Sequence, residues 1–146
     1  MTVTEFLQSK VPFLTGLTPE QANQLAIVTE QKSFAQGQTV LFRGTTVDGL
    51  YVVASGKVSV WVRPAKGGKI PVQAAILGPG EVFGETSIVE MGTAGATVRS
   101  DEGGTLVFVI PQEALEIIFH ENPDLRVRAL ALIASRKKKN SELVAA

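Results

Sequence analysis

The stretch Gly80-Glu81-Val82-Phe83-Gly84-Glu85-Thr86-Ser87-Ile88-Val89, continued by Gly92-Thr93-Ala94-Gly95-Ala96-Thr97-Val98-Arg99, carries more chemistry than any other part of this chain. It is a glycine-flanked turn, a single carboxylate, and then small and hydroxyl residues running into a strand. Small residues let a ligand approach the backbone closely. Successive exposed N–H groups form a concavity that suits an anion. A carboxylate such as Glu85 accepts hydrogen bonds from sugar hydroxyls. A β-rich chain also contains many glycine turns that hold nothing. Taken alone, the stretch therefore leaves both a ligand site and a plain turn open.

The sequence on either side has the texture of short strands. Apolar, β-branched or aromatic runs at 38–42, 50–53, 58–62, 70–77, 96–100 and 105–110 are separated by Gly37, Gly44, Asp48-Gly49, Ser55-Gly56, Gly67-Gly68, Gly78-Pro79-Gly80 and Gly103-Gly104. Val58-Ser59-Val60-Trp61-Val62 alternates with the period of a half-buried strand. Many short strands at this spacing predict a sandwich or jelly roll.

Helix signals bracket these strands. Residues 4–10 suit a short helix. Thr18-Pro19-Glu20-Gln21 reads as a capping box with proline at the first helical position. At the other end, 112–120 is compact and apolar-rich. Asn122-Pro123 is a cap and first residue for a helix predicted over 124 to about 139, with Leu125, Ala129 and Leu132 on one face and Leu130 and Ile133 on a neighbouring one. The expected fold is mainly β, a double-stranded β-helix or jelly roll with flanking helices. A single domain, 1–146, would comprise a helical N-terminal segment (1–33), a β-roll (34–110) and C-terminal helices (111–146).

Bulk properties narrow the function. The chain has 146 residues, 14 basic and 14 acidic, so its formal net charge is zero. A domain that lives on phosphate backbones is usually basic overall. Cysteine is absent, which excludes disulfides, a thiolate nucleophile and cysteine-ligated metal. Residues 1–10 lack the pattern of a signal peptide, and no apolar run reaches bilayer length, so a cytoplasmic protein with no membrane span is expected.

Several segments in order resemble the cyclic-nucleotide-binding domain family, which includes the catabolite activator protein and the regulatory subunit of protein kinase A. Pro12-Phe13-Leu14-Thr15-Gly16-Leu17-Thr18 with Leu25 is similar to the family's N-terminal helices. Phe34-Ala35-Gln36-Gly37-Gln38-Thr39-Val40 resembles its first strand and turn. Gly49-Leu50-Tyr51-Val52-Val53 with Ser55-Gly56-Lys57-Val58 resembles its central hairpin. Leu77-Gly78-Pro79-Gly80 leading to Phe83-Gly84-Glu85 is the most specific match, to the family's phosphate-binding cassette. The resemblance covers nearly the whole chain.

The resemblance implies roles for particular residues. Gly84 would present backbone to the cyclic phosphate, and Glu85 would accept the ribose 2′-hydroxyl. Ser87 keeps a small residue two places on, and Thr97 falls where the family's base-contacting Thr or Ser stands. Phe83, Thr86, Gly95 and Ala96 complete the candidate ligand-binding set. One position departs from the family. In an alignment without gaps from Phe83 to Val98, Thr93 replaces the cassette proline, and Ala94 replaces the arginine that pairs with the phosphate. A hydrogen bond to an ionised group contributes about 1.5–3 kcal/mol, so losing one weakens binding by about one to two orders of magnitude. Arg99 reads as a structural or surface residue. Arg126 or Arg128, on the last helix, are the remaining candidates to supply a guanidinium.

Other residues carry less. His120 closes a short apolar helix and has no paired titratable group, so neither a catalytic residue nor a metal ligand set is expected. Tyr51 and Trp61 read as packing residues. Arg136-Lys137-Lys138-Lys139 suits the C-terminal part of a helix, and too few residues follow Pro123 for a winged helix-turn-helix, so DNA is not expected as a partner. The expectation is a regulatory module, not an enzyme and without a cofactor. It would act through a protein partner or a homodimer formed by the C-terminal helix, and would bind standard cyclic mononucleotides weakly or not at all. The alternative is a genuine receptor for cyclic AMP, cyclic GMP or another nucleotide-like ligand.

Overall fold

The computed structural model describes residues 1–63, 70–84, 94–101 and 103–145, the side chains of 136, 137 and 139–145 excepted. Three helical pieces come first: α1 (Val3–Ser9), a 3₁₀ turn (Pro12–Leu14) and α2 (Pro19–Val28). Strands β1 (Glu30–Phe34), β2 (Thr39–Leu41), β3 (Gly49–Ser55), β4 (Val58–Val62), β5 (Val72–Leu77), β6 (Val82–Phe83), β7 (Thr97–Ser100) and β8 (Thr105–Pro111) come next. Helices α3 (Gln112–Glu121) and α4 (Pro123–Ala145) complete the chain.

The strands make two four-stranded antiparallel sheets, in the orders β1-β8-β3-β6 and β2-β7-β4-β5. This is the jelly roll with flanking helices that the alternating, glycine-punctuated sequence predicts. Side chains alternate across a strand, so β3 and β8 each serve two cores. Leu50, Val52, Phe108 and Ile110 face a helical layer that includes Leu7, Leu14, Leu25, Leu115, Ile118, Leu125 and Ala129. Val53 and Val107 face the other way, into the roll, with Leu41, Val47, Val58, Leu77, Phe83, Ala94 and Val98. The first sheet is thus covered on both faces, and among the described residues no helix packs on the outer face of the second.

The capping box forms as read: Thr18 Oγ1 accepts from the Gln21 amide at 3.1 Å, and Gln21 Oε1 accepts from the Thr18 amide at 3.2 Å. Polar groups buried where the Ser55-Gly56 and Gly103-Gly104 turns meet are satisfied in series. Thr105 Oγ1 donates to the Lys57 carbonyl at 2.8 Å, which commits its only proton, so Ser100 Oγ donates across the 2.8 Å gap to Thr105 Oγ1.

Two boundaries differ from expectation. The roll begins at Glu30, not at residue 34. Strand β1, Glu-Gln-Lys-Ser-Phe, is almost wholly exposed and lacks alternation. It is a strand because β8 supplies its ladder, from Glu30 opposite Val109 to Phe34 opposite Thr105. Helix α4 also runs beyond residue 139 to Ala145, because no glycine or proline interrupts it. No helix among the described residues is long and apolar enough to cross a membrane.

Candidate functional site

Strand β6 delivers the first site residues. Gly78-Pro79-Gly80 turns the chain back, with the Gly80 amide donating to Val53 O at 2.8 Å and the Val53 amide to Glu81 O at 3.0 Å. Glu81 Oε1 accepts the Gly78 amide at 3.1 Å, closing the turn on itself. Phe83 is then set opposite Tyr51 of β3. The two rings lie 5.0 Å apart between centroids at a 32° tilt, inside the roll.

Gly84 comes next, with φ +73°. A Cβ there would stand 3.2 Å from Tyr51 Cδ1 and 3.3 Å from Val47 Cγ1. The left-handed backbone favours glycine at this point, and a side chain would also press on both neighbours. The packing of the roll is therefore sufficient reason for Gly84, whether or not a ligand meets it. Glu85, Thr86, Ser87 and Thr93 lie outside the described residues.

Ala94 is the next candidate within the described residues. Its methyl is buried with the inner cluster. Its amide donates to Thr45 O at 2.8 Å, and its carbonyl accepts the Gly44 amide at 2.9 Å. Ala94 is thus fixed by a reciprocal backbone pair to the loop after β2. Its own N–H is committed to Thr45. Gly95 is exposed, and an added Cβ there would meet nothing within 4 Å.

Thr97 is placed differently. Val98 and Ser100 of β7 are buried, so Thr97 and Arg99 alternate onto the outer face of the second sheet. Thr97 Oγ1 accepts the Arg43 amide at 3.1 Å and lines a groove with Phe42, Arg43, Trp61, Arg63 and Pro71. The structure brings Phe83, Gly84 and Ala94 to the inner side of the roll and sets Thr97 on the outer side. Arg128 also lies apart from Ala94. It reaches the Thr15 carbonyl, in the helical layer beyond the first sheet. Among the described residues there is no cluster of His, Asp or Glu suited to a metal.

A family model for the cyclic nucleotide-binding domain matches residues 31–122. The chain belongs to the cyclic nucleotide-binding domain family. It is 30% identical to the cyclic AMP receptor protein of Thermus thermophilus over 132 residues, which is 90% of this chain and 59% of that protein. The crystal structure of Thermus thermophilus catabolite activator protein superposes with a TM-score of 0.72 at 30% identity, over 90% of this chain and 60% of that one. The regulatory domain of Toxoplasma gondii PKA, solved with cAMP, shares the fold at 19% identity, with a TM-score of 0.75 over 94% of this chain and 49% of that one. The chain spans about three fifths of the length of the bacterial receptor it resembles.

Among the described residues, Tyr51, Phe83, Gly84 and Ala94 lie together on the inner side of the roll. Tyr51 is the one that sequence reasoning treated as packing alone. Its pairing with Phe83 across β3 and β6 became visible only with the register. The outer groove was not foreseen at all. Its signal is an aromatic residue next to, or one residue removed from, an arginine, in Phe42-Arg43 and Trp61-Val62-Arg63.

Proposed function

We propose that this domain is a regulatory module that acts through a protein partner and holds standard cyclic mononucleotides weakly or not at all. The observation that carries the reading is Ala94. In the alignment without gaps, its apolar methyl, fixed by the Gly44 and Thr45 backbone, falls where the family's cation would pair with a cyclic phosphate. A phosphate entering the roll would leave most of its hydration and gain no guanidinium in return, an exchange that is unfavourable for a charged group. The interior is lined by Val47, Val53, Val98 and Val107. The domain performs no chemistry of its own in this reading and needs no cofactor.

Helix α4 supports the partner part of the proposal. Leu125, Ala129 and Ile133 are buried against the domain itself. Val127 and Leu130 remain exposed, at 64% and 44%. They form an apolar strip that a second copy of the helix would cover.

Isothermal titration calorimetry with cyclic AMP and cyclic GMP tests the reading. Dissociation constants no tighter than about 10 μM are expected, given one missing charge-assisted contact. Submicromolar binding of either nucleotide would overturn it. The competing reading, a genuine receptor for cyclic AMP, cyclic GMP or a related ligand, draws on the 30% identity to a protein named as a cyclic AMP receptor, and that result would establish it.

A further inference from the structure

We infer that the outer face of the second sheet is a docking groove for an acidic segment of a partner protein that carries an aromatic or apolar side chain. Alternation on β7 puts Thr97 and Arg99 on this face, and the register sets Thr97 opposite Trp61 and Arg99 opposite Ser59 of β4. Phe42 and Arg43 border it from the end of β2, and Arg63 and Pro71 from the β4–β5 end. Phe42, Arg43, Trp61, Arg63, Pro71 and Thr97 line a groove of about 310 Å³, with Arg99 beside it against the Trp61 ring.

The lining is unusual for a surface with nothing to bind. Phe42 is 60% exposed. Trp61 Nε1 donates to Ser59 Oγ at 2.9 Å, so its one polar group is already satisfied and the ring is what it offers. The Arg99 guanidinium lies 5.7 Å from the Trp61 ring centroid, which steadies the indole through a cation–π contact. Among the described residues, no carboxylate lies within salt-bridge distance of Arg43, Arg63 or Arg99. Two arginines in the lining, Arg43 and Arg63, and a third, Arg99, beside it have no carboxylate partner among those residues and surround the two aromatics, so that a chain of zero net charge carries a local positive surface here.

The occupant is set by that chemistry. Guanidinium groups pair with carboxylates in a two-pronged, directional way. Tryptophan and arginine are the residue types that dominate the energetics of protein interfaces. Arginine and aromatics also stack nucleobases. However, a groove this small sits at the lower end of ligand-sized pockets and holds one or two side chains, not a track of nucleotides. A nucleic-acid partner would draw on many phosphate contacts along an extended basic track, whereas the positive charge here is confined to the groove of a chain with zero formal net charge. The groove lies across the second sheet from Phe83 and Ala94, so it is separate from the interior of the roll. The inference rests on the partner reading above and supplies its surface.

Trp61 is the only tryptophan of the chain, so its emission reports on the groove directly. The probe is a blocked heptapeptide of six glutamates around a central phenylalanine, titrated with Trp61 fluorescence and, in parallel, by calorimetry. Saturable binding with half-saturation below about 1 mM is expected, weakened about tenfold or more in the Arg43→Gln/Arg63→Gln double variant. Both substitutions are at exposed positions, and circular dichroism verifies the fold. Binding absent from both measurements would overturn the inference. So would equal binding of the peptide with glutamine in place of glutamate, or tighter binding of single-stranded oligothymidylate. Failure here leaves the nucleotide titrations untouched, so the two readings fall separately.

Discussion

Arg128, on the second turn of α4, donates from Nη1 to the carbonyl oxygen of Thr15. The neighbouring Gly16 has φ +101°, and its carbonyl accepts from Asn122 Nδ2 at 3.4 Å. Two side chains from the α3–α4 corner therefore hold the connection between the 3₁₀ turn and α2. This contact also decides where the Arg128 guanidinium is spent: on the helical layer, across the first sheet from Ala94.

Arg128→Ala should loosen the docking of α4. The group is exposed and screened, so the expected loss is about 1 kcal/mol or less, a fall in Tm of about 2–4 °C at most. Arg128→Lys should fall between the two, since it keeps a donor but not the fork. Thermal unfolding monitored by circular dichroism checks this, and an unchanged Tm in the alanine variant would show that the contact contributes no stability.

Two glycines of the roll should respond oppositely to alanine. Gly56 has φ +79°, and a Cβ there would lie 2.2 Å from Gly104 O, a backbone atom that cannot swing aside. Gly95 has nothing within 4 Å. Gly56→Ala should cost more than about 2 kcal/mol, from strain and overpacking combined, whereas Gly95→Ala should be within about 0.5 kcal/mol of the parent. Urea denaturation measures both. Similar midpoints for the two variants would contradict the close approach of the Ser55-Gly56 and Gly103-Gly104 turns.

Glycine pairs such as these, and the alternating valines between them, mark hairpins locally, so most strands are legible in the sequence, as is the Thr18–Gln21 capping box. Strand β1 is not, because Glu30 to Ser33 carry no apolar alternation and the strand exists through its partner β8. The end of α4 is misread because the lysine run at 137–139 resembles a helix terminus, while nothing after it breaks the helix. The cassette is legible as a pattern in one continuous stretch. The pairing of Ala94 with Gly44 and Thr45, and the groove that joins Phe42 to Trp61, depend on the order β2-β7-β4-β5, which local periodicity does not specify.

The exposed strip of α4 bears on assembly. Val127 and Leu130 are three residues apart and share a face. If a second copy covers them, sedimentation should show a concentration-dependent dimer, and Val127→Glu with Leu130→Glu should return it to the monomer mass without lowering Tm at dilution. A parent protein that stays monomeric at high concentration would remove the homodimer reading and leave the strip to another partner.

If Ala94 is the main defect of a nucleotide site, returning the charge should return the affinity. Ala94→Arg, with Thr93→Pro to set the local backbone, should raise the affinity for cyclic AMP or cyclic GMP about tenfold or more, the worth of one charge-assisted contact. Glu85→Ala in that background should remove part of the gain, because the ribose hydroxyl would lose its acceptor. The structure sets a condition on this. Ala94 is buried beside the inner cluster, so the longer side chain must find room among valines. Overpacking of that kind costs about 1–3 kcal/mol, and the variant should therefore unfold earlier than the parent when no nucleotide is present. Bound nucleotide at 100 times its dissociation constant should add back about 2.7 kcal/mol. A lowered Tm that recovers with nucleotide is the expected signature. A variant that folds, is destabilised, and shows neither recovery nor a gain in titration would mean that the roll is closed to nucleotides for reasons beyond the missing arginine. Gly84 would then be kept only for the turn against Tyr51 and Val47.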